Sequence, residues 1–140
     1  MSNQDRPTDH AGLQILTPEE CNERLDETEI GRVAFVSEGD VVILPVNYRF
    51  VNGTVVFQTT DGSKLDMATD HKAVAFEIDG FAPQQQTGWS VLVKGTAEYV
   101  MDEELEAEFR RLGLRPWAPY TTARRWVRIL PDEITGRKID

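Results

Sequence analysis

The sequence predicts a mainly β domain, a small antiparallel barrel carrying two or three short helices. Three observations lead there. Arg32–Ser37, Val41–Tyr48, Thr54–Thr59, Ala73–Asp79 and Ser90–Val100 are rich in Val, Ile, Phe and Tyr, and Trp126–Leu130 adds a sixth such segment. Tight-turn signals at Glu38-Gly39-Asp40 and Asn52-Gly53 separate the first three, which makes them antiparallel neighbours. No strand–helix–strand alternation runs through the chain, which argues against a doubly wound nucleotide fold.

Each element has a local reason. Residues 1–12 are polar and without period, and read as a mobile N-terminal segment ahead of a single domain over 13–140. Thr17-Pro18-Glu19-Glu20 then starts a helix. Thr17 caps, Pro18 suits the first helical position, and Glu20 completes a capping box. Cys21 and Leu25, four apart, face inward on this helix, which runs to about Thr28 and is ended by Gly31. Pro45 removes an amide from the second strand and implies an edge, a bulge, or an approach by something other than a strand. Thr60–Ala68 reads as a polar turn entering a short helix, and Gly80–Gly88 as a loop. Asp102 caps a further helix with Leu105, Phe109 and Leu112 on one face, stopped by Gly113. Pro116 and Pro119 frame an aromatic loop with Trp117 and Tyr120. Ile134–Ile139 reads as a short strand of its own.

Composition narrows the function classes. The chain has 140 residues, a formal net charge of −9 and one cysteine, Cys21. An intramolecular disulfide framework and a multi-cysteine zinc site are excluded. The two histidines, His10 and His71, match no paired-ligand spacing, and no metal site is expected. No apolar run approaches the roughly 18 residues of a membrane span, and no signal-peptide core opens the chain. The expectation is a soluble cytoplasmic protein that binds neither membrane nor nucleic acid. The charge is uneven: residues 1–30 carry −6, whereas 109–140 carry +5. A local anion site therefore remains open within an acidic chain.

Three stretches could carry chemistry. In Thr59-Thr60-Asp61-Gly62-Ser63-Lys64, hydroxyls, a glycine turn and a lysine stand where a strand hands over to a helix. Free amides at that helix start favour a phosphate, which Ser63 and Lys64 could secure; a capped surface turn with a solvated lysine fits the same residues. Pro45-Val46-Asn47-Tyr48 could offer backbone and amide groups to a planar heterocycle, or could be an edge strand with Asn47 in water. Trp89 and Ser90 open a long strand, a position suited to a site wall, a dimer contact or the core. Gly-x-Ser-x-Gly is absent. His71 could ligate a haem iron, but a lone histidine near a helix end is far more often solvated or capping, and Cys21 reads as core. No general acid or base can be assigned.

Taken together, in order and spacing, these stretches resemble the pyridoxamine 5′-phosphate oxidase-like family of flavin-binding split barrels, and its short actinobacterial-type members in particular. The resemblance covers about Thr17 to Ile139. It is carried by Gly31-Arg32-Val33-Ala34-Phe35, Pro45-Val46-Asn47-Tyr48, Phe57–Leu65, Val74–Asp79, Gly88–Gly95 and Ile134–Ile139. It implies a six-stranded antiparallel split β-barrel and a homodimer with flavin mononucleotide (FMN) at the subunit interface. Ser63 and Lys64 would hold the phosphate beside Thr59 and Thr60. Val46 and Asn47 would run along the isoalloxazine edge, and Trp89 and Ser90 would approach the ring. The implied activity is that of an oxidoreductase acting on a small-molecule substrate. The alternatives are a deazaflavin-dependent reductase and a non-catalytic flavin-binding or storage dimer. The basic and histidine residues with which true pyridoxamine phosphate oxidases hold their substrate are not reproduced, since only Arg49 follows the second strand.

Overall fold

The computed structural model describes residues 6–60, 72–114 and 124–140. In chain order the elements are β1 (Gln14–Ile15), α1 (Pro18–Glu27), β2 (Ile30–Ser37), β3 (Asp40–Asn47), β4 (Arg49–Val51), β5 (Thr54–Thr60), β6 (Lys72–Ala82), β7 (Thr87–Tyr99), α2 (Glu103–Arg110) and β8 (Arg124–Ile139). All the strand pairs are antiparallel, in the order β3-β2-β6-β7-β8-β5-β4, with β1 added to the far end of β8. Strands β3 and β5 lie near opposite ends of this ladder yet return within 8 Å of each other at Cα, so the sheet curls into a barrel. No ladder joins them, and the barrel is split there.

The expected mainly β split barrel is present, with eight strands among the described residues rather than six. Part of the difference is the short pieces β1 and β4. The rest is a redistribution: Trp126–Leu130 and Ile134–Ile139 are one strand, β8, running through Pro131. A bulge permits this. Lys94 pairs with Glu133 and Gly95 with Pro131, which leaves Asp132 as an extra residue on β8. The proline's missing amide falls at the irregularity, where no regular ladder bond is lost.

The turn chemistry held where it was expected. Glu38 and Gly39 both have positive φ (52° and 83°), as do Asn52 and Gly53 (49° and 78°), the conformation that two-residue hairpins need. The second hairpin joins β4 to β5, however, not β3 to β5. The chain leaves β3 at Tyr48 and crosses the split, so β3 stays an edge strand, as Pro45 implied. Gly80–Gly88 is no loop: β6 and β7 extend toward each other and leave only residues 83–86 as a turn.

Both described helices start as read. Thr17 and Glu20 form the reciprocal capping box with Pro18 at the start, and Asp102 accepts the amides of Glu104 and Leu105. The first helix ends at Thr28, whereas Gly31 is a buried residue of β2. Alternate residues of β2, β5, β6, β7 and β8 fill the barrel with Val33, Phe57, Phe76, Val91, Val93 and Ile129 at its centre. Cys21 and Leu25 of α1 seal one end as predicted, and burial pushes the Cys21 thiol up. Tyr48 donates to the Leu25 carbonyl at 2.7 Å and meets Phe76 edge-on at 4.8 Å. On the outer face, Phe109 of α2 covers Val56 and Trp126 in a smaller cluster. The helix expected over Thr60–Ala68 and the aromatic loop with Trp117 and Tyr120 lie outside the described residues.

Residues 6–12 fold back onto the barrel end. Arg6 pairs with Glu20, holding that carboxyl down at about 2, and Arg137 donates to Asp9 at 3.0 Å.

Candidate functional site

The sequence-derived site residues fall into three groups. Val46 and Asn47 end β3. Val46 points into the core, and half-buried Asn47 lines a hollow of about 250 Å³ with Glu29, Ile30, Arg49, Gly113 and Leu114. Thr59 and Thr60 end β5, their backbones opposite Arg125 and Arg124 of β8. Thr59 is buried, at 2% exposure. Ser63, Lys64 and His71 lie outside the described residues.

The fold brings the first two groups together. Arg49 of β4 pairs with Val56 of β5. Asn47 precedes Arg49 by two residues, and β3 and β5 come within 8 Å of each other at Cα. Among the described residues no ladder joins the edges of β3 and β5. Gln58 adds a further signal, because its Oε1 is buried and accepts no hydrogen bond among the described residues. A buried acceptor left alone is costly. Arg49 sits at the same place, and its guanidinium donates to the Tyr48 carbonyl at 2.9 Å. Sequence reading named Arg49 only in passing and gave Gln58 no role. An orphan acceptor is a property of packing and leaves no trace in sequence.

The third group stands apart. Trp89 and Ser90 begin β7, whereas the β8 residues opposite Thr59 lie beyond Tyr99, at the other end of that strand. Ten residues separate Trp89 from Tyr99, about 33 Å of strand. Trp89 packs on the core, under α1, with the Arg24 guanidinium 4.5 Å from its ring centroid. Its indole lies against the bare backbone of Gly80, where an added Cβ would come within 2.5 Å of Nε1. A groove of about 290 Å³ runs over Trp89 and Ser90, walled by exposed Phe81 and by Ile139. None of the cavities described here is lined by residues from two of the groups.

Two further features lie outside the sequence reading. On the outer face, Arg32 of β2 donates from one nitrogen to Glu77 at 3.0 Å and to Asp79 at 3.1 Å. Burial, reinforced by the neighbouring Asp79, raises the Glu77 carboxyl to about 7 despite the arginine. Beside this cluster, Ile30, Val36, Val41 and Ile43 leave an apolar strip exposed on the β2–β3 hairpin. At the far end of β7, the Arg125 guanidinium lies 4.8 Å from the Tyr99 ring centroid, and both residues line a cavity of about 600 Å³. Among the described residues no His/Cys/Asp/Glu group is placed to hold a metal ion, and no helix is long and apolar enough to cross a membrane.

A curled antiparallel sheet, split between β3 and β5, defines a split barrel. Residues 17–138 match the pyridoxamine 5′-phosphate oxidase family model, and the chain belongs to that family. It is 36% identical over 129 residues to the uncharacterized protein Rv0080 of Mycobacterium tuberculosis, covering 89% of this chain and 84% of that one. The structure of the FAD binding protein from Mycobacterium smegmatis superposes with a TM-score of 0.77 at 38% identity, covering 91% of this chain and all (100%) of the other. A conserved protein of unknown function, DIP1874 from Corynebacterium diphtheriae, superposes at 0.74 with 32% identity, covering 91% and 98%.

Proposed function

We propose that the chain binds a flavin through its riboflavin 5′-phosphate portion, as FMN or as the FMN half of FAD, in the split between β3 and β5. We further propose that it works as a homodimeric oxidoreductase on a small-molecule substrate. The observation that carries the reading is the convergence of Asn47, the orphan acceptor of Gln58 and the Thr59–Thr60 strand end at one open edge. The donor set suits a flavin: amide and hydroxyl groups for a heterocycle rim, followed in sequence by Ser63 and Lys64 for a phosphate. The FAD-binding neighbour from Mycobacterium smegmatis supports the same choice.

Strand position supports the dimer reading. Thr59 lies level with one end of the long β7–β8 ladder and Trp89 with the other, which favours their meeting one mononucleotide from different copies. If both groups serve the cofactor, Trp89 and Ser90 then come from a second copy. The exposed strip of Ile30, Val36, Val41 and Ile43 is apolar surface that a second copy could cover.

A bound flavin supplies hydride or electron transfer. The chain's own residues bind and orient it. Lys64 neutralises the phosphate, Ser63 and Thr59 donate hydrogen bonds to it, and Asn47 and Gln58 set the position of the ring edge. No side chain is assigned as a proton donor or acceptor.

Titration of cofactor-free protein with FMN, followed by flavin fluorescence, tests the reading. Saturable binding that weakens at least about tenfold in Lys64→Ala, a loss of ~1.4 kcal/mol, is the expected result. Binding of a deazaflavin and not of FMN would move the chain to the reductase alternative. Binding without reduction by nicotinamide cofactors would favour the storage dimer. No binding of either cofactor would refute the proposal.

A further inference from the structure

The cavity where β7 passes into α2 is not used by the flavin reading, and its chemistry is distinct. It holds about 600 Å³, within the roughly 300–1,000 Å³ of small-molecule sites, and is lined by Tyr99, Val100, Met101, Leu105, Arg125 and Arg128 together with Glu98 and Asp102. Its charges are matched. Arg128 donates to Glu98 at 2.8 Å, and the Asp102 carboxylate caps α2. A second phosphate would meet Asp102 and the acidic first turn of α2 at this place, so the cavity suits a neutral group. What it presents to such a group is a stack: the Arg125 guanidinium carbon over the Tyr99 ring, 4.8 Å from its centroid, with Met101 exposed beside it at 86%. Aromatic rings and guanidinium planes are the surfaces on which nucleobases stack.

The cavity is also correctly placed. Arg125 is the direct strand partner of Thr59, and Tyr99 lies one strand beyond, opposite Val127 of β8. From the edge of β5 to β7 is two strand spacings, about 10 Å, a distance a nucleoside spans from a pyrophosphate.

We propose that this cavity is a nucleoside subsite, in which Tyr99 and Arg125 stack the base of a dinucleotide flavin whose flavin half lies in the β3–β5 split. The inference rests on the flavin reading and makes it specific: the preferred cofactor is FAD, and Tyr99 and Arg125 decide that preference. Arg125 is exposed and long enough to lift from Tyr99 and close over the opposite face of the base.

The test measures affinities of cofactor-free protein for FMN and for FAD, in the wild type, in Arg125→Gln and in Tyr99→Leu. Wild type binds FAD about tenfold or more tightly than FMN, equivalent to ~1.4 kcal/mol. Each substitution lowers FAD affinity by about threefold to tenfold and leaves FMN affinity within about twofold. Arg125 is on the surface, so Arg125→Gln decides alone if Tyr99→Leu does not fold. Equal affinities for the two flavins in the wild type, or parallel losses for both in the variants, would overturn the subsite while leaving the flavin reading intact. Failure of both flavins to bind the wild type would overturn the two together.

Discussion

Gly95 is the residue on which the β7–β8 pairing turns. A Cβ built there would lie 2.2 Å from the Leu130 carbonyl oxygen, 2.9 Å from the Leu130 carbonyl carbon and 3.0 Å from Pro131 Cα. Carbon–oxygen contacts between strands settle near 3.3–3.6 Å, so Gly95→Ala demands a retreat of about 1 Å. The obstacle is backbone, at a bulge already anchored by Pro131, and no side chain can swing clear. Parting the strands weakens about two ladder hydrogen bonds, at ~0.5–1.5 kcal/mol each, and adds overpacking strain of ~1–3 kcal/mol. Alanine's better strand propensity returns ~0.5–1 kcal/mol. The net expectation is a loss of about 1–5 kcal/mol, centred on ~3 kcal/mol, or roughly a 10 °C fall in Tm for a domain of this size. Equilibrium urea unfolding of Gly95→Ala beside Lys94→Ala, its exposed neighbour, measures it. A Gly95→Ala stability within about 0.5 kcal/mol of wild type would refute the bulge argument and the registry built on it.

Other expectations follow from single groups. Thr17→Ala removes the capping box of α1 and should lower stability by about 1 kcal/mol in the same assay; no change would mean that the Arg6–Glu20 pair alone holds the helix start. Tyr48→Phe removes a buried donor to the Leu25 carbonyl and should cost ~1–2 kcal/mol, detectable as an unfolding midpoint shift with unchanged slope. Glu77, raised by burial and Asp79, is protonated more readily folded than unfolded. Its protonated form therefore favours the folded state below the ordinary carboxylate range, and that benefit is lost as pH rises through about 7. Because the cluster is partly exposed, the stability of wild type relative to Glu77→Gln should fall by no more than about 1 kcal/mol across that window. A difference that rises with pH would contradict the assignment.

Much of this was legible in local chemistry. Thr17, Glu20 and Asp102 announce their helices because capping is settled within four residues, and Asn52-Gly53 announces its turn because few other pairs tolerate positive φ. What escaped was long-range. Pro131 reads as a break, and only its pairing with Gly95 shows that β8 continues through it. The crossing at Tyr48 was hidden because β3 and β4 have the same strand character on both sides of it. For the candidate site, Asn47 and Thr59 stand out in the sequence as polar residues at the ends of apolar strands. Gln58 does not, since only packing strips its oxygen of partners. Arg24 and Trp89 are 65 positions apart, and their stacking depends on where α1 docks.

The central claim is that one flavin is held by two copies of the chain, by Lys64 and its neighbours in one and by Trp89 in the other. Lys64→Ala and Trp89→Leu chains, each impaired in flavin binding alone, can be mixed under conditions that exchange subunits. A mixed dimer then pairs the intact Lys64 of one chain with the intact Trp89 of the other at one of its two sites. The account predicts that mixing restores wild-type affinity at about a quarter of the sites, from half of the dimers carrying one repaired site each. A mixture that binds no better than its two components, with subunit exchange demonstrated, would contradict it.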